Sequence, residues 1–475
     1  MEAVLPGPGA PPTGYHRAVT GPRIRQLDWA CSPPEVAAAW PSDRPLMMLH
    51  SGRGHPRWAR WSILATPRST HEIGGSGGDL VGELDRIGAA QPESRDGTGP
   101  PIPFLGGWIG YLSYDLGRRL EPAARHRSGS SSAADDRGWP LGVLGWCPDA
   151  LVYDNLTGCW YAVGDPPLTP GTANDGGGFR AGNLVSAVDP DTYLATVEAA
   201  IEYIAAGDIF QANITHRLSA LFEGSTRRLG LTALSLSGAW YGAYLELPGG
   251  RCLVSLSPEL LLEVDAVTRR VVTRPVKGTR PSAATRRELR DSVKDTAELN
   301  MIVDLMRNDL GRVCEYGSIR VPRSRIIETH PTVHHGVAAV TGCLSSGVGL
   351  GRLLGAAFPG GSVTGAPKIR AMQIIDELEA VRRGPYCGAI GFVSTCGRVG
   401  LNVAIRTIAL AGRRRGEAWG HLDGTLDYGV GGGIVADSTP MAEYRESMDK
   451  AAILRMVLDA PPVRPHPPAP ASVWR

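Results

Sequence analysis

The chain has 475 residues, of which 20% are charged, and its formal net charge at pH 7 is +2. A chain of this length can bury a large core and can form two or three domains. The near-neutral charge excludes the basic field of a nucleic-acid-binding protein, and the sequence carries no acidic tail.

The eight cysteines are scattered and form neither a CxxC pair nor the spacing of a zinc site. Scattered cysteines in a long chain favour a reducing compartment. The N-terminal residues lack a charged segment followed by an apolar one, so the sequence predicts no signal peptide. No apolar run approaches the ~20 residues of a membrane helix. We therefore expect a soluble cytoplasmic protein.

The N-terminal half reads as mostly β-structure. Alternating apolar residues predict two strands between about 45 and 70, around a Gly-rich turn at 51–54, and further strands at 106–114 and 146–163. The predicted organisation is a disordered tail at 1–14, a β-rich portion at 15–165, a linker or surface loop at 166–188, a C-terminal portion at 189–458 and a Pro-rich tail at 459–475.

The C-terminal half alternates helices with strands. Asp189 followed by Pro190 predicts a capped helix start, and Gly207 predicts the stop of that helix. A strand is predicted from Asp208 to Leu218. Further helices are predicted from Ala284 to about Val313, from Ala366 to Val381 and from Met441 to about Leu458.

Lys277 lies in the sequence Thr-Arg-Pro-Val-Lys-Gly-Thr at 273–279. A lysine between a proline and a glycine is unsuited to a helix, so we expect it at the end of a strand. Its amine becomes a nucleophile or a base only where burial or nearby cations lower its pKa. A lone lysine would be interpreted as a solvated residue, so its function depends on its neighbours.

Two predicted helices carry acids at the same spacing. Asp295 and Glu298 are three residues apart, as are Glu443 and Glu446, and Lys450 follows four residues later. Residues three or four apart share a helical face, so each pair can direct two carboxylates at one point. Two facing pairs would suit Mg²⁺. For either helix alone, a solvated charged face is the simpler interpretation.

Two Gly-rich turns and two basic residues complete the set of candidates. The turn at 360–368 carries Ser362 and Thr364 but lacks the spacing of a nucleotide phosphate loop. The turn at 429–433, with Gly431 and Gly433, allows close approach of the backbone to a ligand. His335 is either a ligand or a core histidine. Arg406, within the apolar segment 401–407, is expected inside a strand and needs an anionic partner.

These segments together resemble the chorismate-utilising enzymes, which include anthranilate synthase, aminodeoxychorismate synthase, isochorismate synthase and salicylate synthase. The stretches that carry the resemblance are 207–217, 255–264, 273–281, 295–313, 358–372, 386–392, 401–407 and 431–447. They follow the family order across about residues 190–455. The sequence departs from the family pattern at 299–300, at 336–338 and at Met441.

The resemblance implies an α+β fold in which antiparallel sheets form a sandwich flanked by helices. It also implies Mg²⁺ held by the acids on the two helices. The substrate carboxylates would contact Mg²⁺, Arg406, Tyr386, Lys450 and the backbone from Gly431 to Gly433. His335, Ser362 and Thr364 would line the pocket for the ring.

Lys277 points within the family to aminodeoxychorismate synthase component I, because anthranilate synthases resemble this stretch but carry alanine there. The implied mechanism has the Lys277 amine attack ring C2 of chorismate while Glu259 protonates the departing C4 hydroxyl. Ammonia then replaces the lysine. The chain lacks the motif of a glutaminase, so ammonia is expected from a separate glutamine amidotransferase subunit.

The N-terminal half resembles the amino-acid pocket of component I proteins, with Ser51 as the candidate residue for bound tryptophan. Three alternatives stay open. An isochorismate or salicylate synthase would use a lysine as the base for water. An anthranilate synthase component I is disfavoured by Lys277, and an inactive chorismate- or tryptophan-binding regulatory protein is disfavoured by the retained acids.

Overall fold

The structure is a computed structural model that describes residues 23–52, 55–75, 78–89, 101–124, 133–167, 177–281, 285–329 and 333–460. The predicted tails at 1–14 and 459–475 lie outside the described residues, apart from residues 459 and 460. None of the helices within these ranges is both long and apolar enough to cross a membrane.

Strands make up most of the regular structure. In chain order they are β1 Ile24–Leu27, β2 Met47–His50, β3 Trp61–Ala65, β4 Ser69–Glu72, β5 Gly107–Leu112, β6 Gly142–Cys147, β7 Ala150–Asp154, β8 Cys159–Val163, β9 Phe179–Ala181, β10 Val185–Ser186, β11 Gln211–Ser225, β12 Tyr241–Leu247, β13 Arg251–Ser257, β14 Leu260–Asp265, β15 Arg270–Arg274, β16 Val276–Pro281, β17 Arg320–Thr329, β18 Val333–Cys343, β19 Gly365–Ala366, β20 Ala389–Ser394, β21 Arg398–Val403, β22 Thr407–Arg414 and β23 His421–Ile434.

The α-helices are fewer and flank the strands. In chain order they are α1 Pro33–Ala38, α2 Leu80–Gly88, α3 Gly117–Leu120, α4 Pro190–Ala205, α5 Thr226–Ser237, α6 Arg286–Asp291, α7 Val293–Gly311, α8 Leu350–Ala357, α9 Lys368–Leu378, α10 Pro440–Asp449 and α11 Ala452–Leu458. One of the three short 3-10 turns within the described residues, Gly361–Val363, lies in the Gly-rich segment before α9.

Two antiparallel sheets contain these strands. The larger sheet has the order β1-β8-β7-β3-β2-β12-β13-β22-β23-β11-β10, with β9 and β19 also paired to β11. The smaller sheet has the order β16-β18-β15-β14-β21-β20-β5-β6-β4, with β17 also paired to β18. Each sheet therefore combines strands from both sides of the segment 166–188, which itself contributes β9 and β10.

Side-chain alternation along the strands explains why the sheets stack. Leu253 of β13 packs with Ile109 and Ile390 of the smaller sheet, in a core between the two sheets. Its neighbour Val254 points to the other face and packs with Leu454 of α11. Because successive side chains of a strand face opposite sides, both faces of the central strands are apolar and covered.

A third core lies on the outer face of the smaller sheet. Ile302 of α7 and Leu353 of α8 pack there with Val271 of β15 and Leu401 of β21. The layers are thus helices, sheet, sheet and helices, which confirms the predicted α+β sandwich. This arrangement places α7 against β16 and α10 against β23.

The local signals for the first C-terminal helix are confirmed. The Asp189 carboxylate accepts a hydrogen bond from the Thr192 N–H at 2.8 Å, which caps the start of α4. Gly207 follows the last turn with φ of +82°, a conformation that favours glycine. The predicted strand pair between 45 and 70 is also confirmed, because β2 pairs with β3.

Two of the predicted helices are wrong in their continuity. The helix expected from 284 to 313 is divided into α6 and α7, because the Ser292 hydroxyl accepts from the Asp295 N–H at 3.2 Å and caps a new start. The helix expected from 441 to 458 is divided near Lys450 into α10 and α11. Ala284 itself lies outside the described residues.

Candidate active site

Lys277 is the second residue of β16, an edge strand of the smaller sheet. The pairing of β16 with β18 changes register between Val276 and Thr279, and Gly278 has φ of +80°. A β-bulge of this kind redirects the side chain next to it. The bulge therefore turns the Lys277 side chain toward α7 and β23.

The Lys277 amine is in a crowded, mostly dry position. Its side chain is 12% exposed, and Nζ lies 3.9 Å from Oε2 of Glu298. A Cβ at Gly433 would lie 2.9 Å from Nζ, so any larger residue there would displace the amine where β23 passes it. Burial lowers the pKa of Lys277, Glu298 opposes this shift, and the Lys450 ammonium adds to the lowering.

Glu259 lies in the connection between β13 and β14 and is 3% exposed. The Ser362 hydroxyl donates to its Oε1 at 2.6 Å. Its backbone N–H donates to Ser257 Oγ at 3.2 Å, and its carbonyl accepts from the Val403 N–H at 3.0 Å. Burial raises the pKa of Glu259 to about 7, while Ser362 and then Lys277 oppose the rise. A carboxyl with this pKa can donate a proton near neutral pH.

His335 and Arg406 form a second polar group in the site. His335 is buried, and its Nδ1 lies 2.9 Å from the Thr279 hydroxyl, whereas its Nε2 lies 3.4 Å from Arg406 Nη2. Among the described residues, no acidic side chain lies within ion-pairing distance of Arg406. Burial lowers the pKa of the Arg406 guanidinium. This cation is therefore suited to an anionic ligand.

The prediction that Arg406 lies inside a strand is wrong. Strand β21 ends at Val403 and β22 begins at Thr407, so Arg406 occupies the bend between them. Its φ is +51°, in the left-handed region that non-glycine residues seldom adopt. The bend directs the guanidinium toward His335 instead of into a sheet face.

The Gly-rich end of β23 lets several groups approach its backbone. Gly431 pairs with Thr215 of β11, and Lys450 Nζ donates to the Gly431 carbonyl at 2.7 Å. A Cβ at Gly429 would lie 2.2 Å from the ring of Tyr386, so that ring rests directly on the strand. The strand thus brings Tyr386, Lys450 and Lys277 to one stretch of backbone.

The four predicted metal acids lie on two neighbouring helices, α7 and α10. One ammonium group, Lys294 Nζ, lies 4.0 Å from Glu298 Oε1 and 3.9 Å from Glu443 Oε1. Glu446 pairs with Lys450 at 2.9 Å. Asp295 instead pairs with Arg280 at 2.8 Å. The acids of both helices therefore share one region, although Asp295 is engaged elsewhere.

The pKa values of Glu298 and Glu446 are shifted in opposite directions. Burial raises the pKa of Glu298 against the opposing effect of Lys277. Burial also acts to raise the pKa of Glu446, but Lys450 and other lysines lower it overall. Within the described ranges, no three His, Cys, Asp or Glu residues form a ready-made metal cluster. Mg²⁺ usually needs only one or two protein carboxylates, with water and ligand oxygens completing its shell, so the oxygen donors on the two helices fit it.

Gln211, at the start of β11, is a site residue that sequence reasoning missed. It is fully buried, and neither amide atom has a hydrogen-bond partner in the described part of the chain. A Cβ at Gly433 would lie 2.5 Å from its Nε2 and 2.9 Å from Lys277 Nζ, so the amide faces the amine. An unpaired buried amide is costly, so a ligand, an ion or a water molecule has to satisfy it. The only signal in the sequence was a polar residue within the motif 207–217.

Ser51 is not part of this cluster. It lines a separate cleft of about 300 Å³, together with Trp58, Trp61 and Trp240. Its hydroxyl donates to the carbonyls of Trp61 and Trp240 at 3.0 and 3.1 Å. The cleft lies between the two sheets, because its lining includes Gly242 of β12 and residues of β14, β20 and β21.

Comparisons with known proteins agree with this architecture. A family profile described as "chorismate binding enzyme" matches residues 55–456. The chain is 36% identical over 458 residues to aminodeoxychorismate synthase component 1 of Klebsiella aerogenes, covering 90% of this chain and 97% of the relative. It is 38% identical over 384 residues to anthranilate synthase component 1 of Thermus thermophilus, covering 75% and 78%.

Among solved structures, the chain is similar to anthranilate synthase component I from Streptococcus pneumoniae, with a TM-score of 0.68 at 27% identity. The similarity covers 84% of this chain and 93% of that one. These matches span both sheets and the helices that carry the site. The chain is therefore a chorismate-utilising enzyme and belongs to the chorismate-binding enzyme family.

Proposed function

We propose that the enzyme aminates chorismate at ring C4 to give 4-amino-4-deoxychorismate, the precursor of para-aminobenzoate in folate synthesis. The observation that carries this proposal is the buried Lys277 amine, whose lowered pKa favours the neutral, nucleophilic form. Relatives of similar identity include both aminodeoxychorismate synthases and anthranilate synthases. Overall sequence identity therefore does not distinguish the two reactions, so the assignment depends on Lys277.

The first step forms a covalent bond between Lys277 and the substrate. The Nζ lone pair attacks ring C2, the two conjugated ring double bonds move from C1=C2 and C5=C6 to C1=C6 and C4=C5, and the C4–O bond breaks. Glu259 supplies the proton with which the C4 hydroxyl leaves as water. The pKa of about 7 suits this role, since the carboxyl is protonated often enough near neutrality to act as an acid.

In the second step, ammonia attacks C4, both double bonds shift back, and the C2–N bond to Lys277 breaks. Overall, chorismate and ammonia give aminodeoxychorismate and water, and the lysine is regenerated. The Gln211 amide faces Lys277 and has no protein partner within the described residues. We place Gln211 beside the reacting nitrogen, where its carbonyl oxygen can accept a hydrogen bond from an amine.

Cations and backbone groups hold the substrate carboxylates. Arg406, Tyr386, Lys450 and the Gly431–Gly433 backbone bind these groups, and His335 supports Arg406 through the contact at 3.4 Å. Ser362 and Thr364 line the ring pocket. Glu298 and Glu446 would hold Mg²⁺, with Glu443 and Asp295 acting through water. When bound, Mg²⁺ would neutralise carboxylate charge on the substrate.

A separate glutamine amidotransferase subunit supplies the ammonia in this proposal, since the chain carries no glutaminase motif. The designation "component 1" of the relatives supports a second component. In the absence of that subunit, ammonium salts at alkaline pH should replace it, because the reactive species is neutral ammonia.

Product identification tests the proposal. The purified chain is incubated with chorismate, Mg²⁺ and ammonium at alkaline pH, and the products are separated by mass. The proposal predicts an ammonia-dependent aminodeoxychorismate product that is lost in Lys277→Ala. Anthranilate as the product would show that Lys277 does not select the reaction, and isochorismate formed without ammonia would show that water is the nucleophile.

We further propose that the cleft at Ser51 binds tryptophan. Its three tryptophans provide stacking surfaces, and the paired charges of Arg57 and Glu263 lie at its wall. A free amino acid offers an aromatic ring and two opposite charges to such a lining. Calorimetric titration of the chain with tryptophan should give one saturable site that Ser51→Trp abolishes, whereas absence of binding to the unaltered chain would exclude it.

A further inference from the structure

Arg383 and Glu379 form a buried ion pair near the end of α9. Their side chains are 2% and 5% exposed. Arg383 donates from Nε to Glu379 Oε2 at 2.8 Å and from Nη2 to Oε1 at 2.6 Å. The desolvation cost of such a pair often exceeds its electrostatic gain, so stability alone does not account for it.

The remaining donors of Arg383 reach two backbone segments of the candidate site. Nη1 donates to the Val363 carbonyl at 2.7 Å, and Nη2 donates to the Asn213 carbonyl at 2.5 Å. Val363 stands between Ser362 and Thr364 in the turn that faces the ring pocket. Asn213 belongs to β11, and its N–H donates to the Thr364 carbonyl at 2.7 Å. One guanidinium thus joins the turn to the strand.

Glu379 extends the same connection to a further point of β11. Its Oε1 accepts from both the N–H and the hydroxyl of Thr215, at 2.8 and 2.9 Å. Thr215 pairs in register with Gly431. The Tyr386 N–H donates to the Arg383 carbonyl at 3.2 Å. The ion pair is therefore linked to the segments that carry Ser362, Gly431 and Tyr386.

We infer that Arg383, oriented by Glu379, is a positioning residue for the proton donor: it fixes the turn so that the Ser362 hydroxyl meets the Glu259 carboxyl. This inference rests on the proposed role of Glu259 as the general acid. Arg383 acts from behind the turn, since Val363 separates its guanidinium from Ser362. Its effect is on the geometry of the Ser362–Glu259 hydrogen bond.

Replacing Arg383 with lysine separates the effect of the charge from the effect of the hydrogen-bonding geometry. It keeps the positive charge beside Glu379 but lacks the planar fork that serves a carboxylate and two carbonyls together. In Arg383→Lys the turn loses its anchor, and the Ser362 hydroxyl contacts Glu259 less well. Because that hydrogen bond favours the ionised carboxyl, its weakening moves the alkaline limb of the pH–rate profile upward.

The test is the pH dependence of kcat/KM for chorismate in Arg383→Lys and in Glu379→Gln. Neutral ammonia is held at a constant concentration across the pH range. The expected result is an upward shift of the alkaline limb, by up to about one pH unit if the hydrogen bond is lost. Glu379→Gln serves if Arg383→Lys does not fold, because the amide keeps the shape of the side chain.

Arg227→Lys is the matched control. Arg227 and Glu246 form a comparable buried pair, 6% and 2% exposed, and Arg227 also donates to a backbone carbonyl, that of Trp40, at 2.7 Å. This pair joins α5, which contains Arg227, to β12, which contains Glu246, and is distant from the turn. Both lysine variants should lower the melting temperature, but only the change at Arg383 should move the pH limb.

A double variant tests whether Arg383 acts through Ser362. If Arg383 acts through Ser362, adding Arg383→Lys to Ser362→Ala produces no further shift of the limb. An unmoved limb in both Arg383→Lys and Glu379→Gln, or additive shifts in the double variant, would overturn the inference. Chorismate consumption is the readout, so the limb is measurable whichever product forms. A failure to aminate therefore contradicts the proposed function without deciding this inference.

Discussion

Replacing Ser362 with alanine isolates the hydrogen bond on which the acidity of Glu259 depends. The hydroxyl donates to Oε1 at 2.6 Å, and both residues are buried. Water would not readily replace the lost donor at such a site. The substitution removes one oxygen and leaves the backbone of the turn, which Arg383 holds through Val363, unchanged.

The size of the effect follows from the difference between the two states of the carboxyl. A hydrogen bond to a charged group contributes about 1.5–3 kcal/mol, and the neutral acid retains part of such a contact. A net loss of about 1.4 kcal/mol from the ionised form raises the pKa by about one unit. Burial already raises the pKa of Glu259 to about 7, and Ser362→Ala should raise it further.

The assay is the pH profile of kcat/KM for chorismate, with neutral ammonia held constant. A general acid must be protonated, so activity falls as pH rises through the pKa of Glu259. Ser362→Ala should move this alkaline limb to higher pH. Ser255→Ala is the control, since it removes a buried hydroxyl that contacts Thr407 at 2.9 Å and not Glu259. An unchanged or lowered limb in Ser362→Ala would refute the assignment of Glu259 as the acid.

Two further substitutions test the neighbours of the amine and of the ring. Gln211→Glu places a carboxylate beside the buried Lys277, which should raise the pKa of the amine and move the acidic limb of the pH profile to higher pH. Gln211→Ala should leave that limb in place, and equal limbs in the two variants would contradict the placement of Gln211. Gly429→Ala places a methyl group 2.2 Å from the Tyr386 ring. We expect the displaced tyrosine to raise the KM for chorismate about tenfold or more, equivalent to about 1.4 kcal/mol. Gly178→Ala, at an exposed position with open space around its Cβ, is the control, and an unchanged KM in Gly429→Ala would show that Tyr386 does not bind substrate.

Local signals predicted those parts of the fold that depend on local chemistry. Asp189, Pro190 and Gly207 bounded α4 correctly because caps act within a few residues. The break at Ser292 carried a comparable signal, a serine three residues before Asp295, but the segment was predicted as one long helix. Sequence signals at 450 were weaker still, since Lys450 is an ordinary helical residue.

The site was predicted unevenly for a related reason. Lys277, Glu259 and the helix acids were found because their motifs resemble a family, and the structure brings Lys277, Glu259 and Glu298 together. The left-handed bend at Arg406 was missed because its flanking residues are apolar and strand-like. Gln211 was missed because its role depends on its proximity to Gly433 and Lys277, which are distant in sequence and adjacent only in the folded chain.

The central claim is that Lys277 becomes covalently bound to the substrate, and intact-protein mass spectrometry tests it most directly. The chain is mixed with chorismate and Mg²⁺ in the absence of ammonia, so that the second displacement cannot occur, and then quenched. The account predicts a species heavier by chorismate less one water, bound at Lys277, absent from Lys277→Ala and discharged by added ammonium. An enzyme that turns over with ammonia but gives no such adduct would contradict the account.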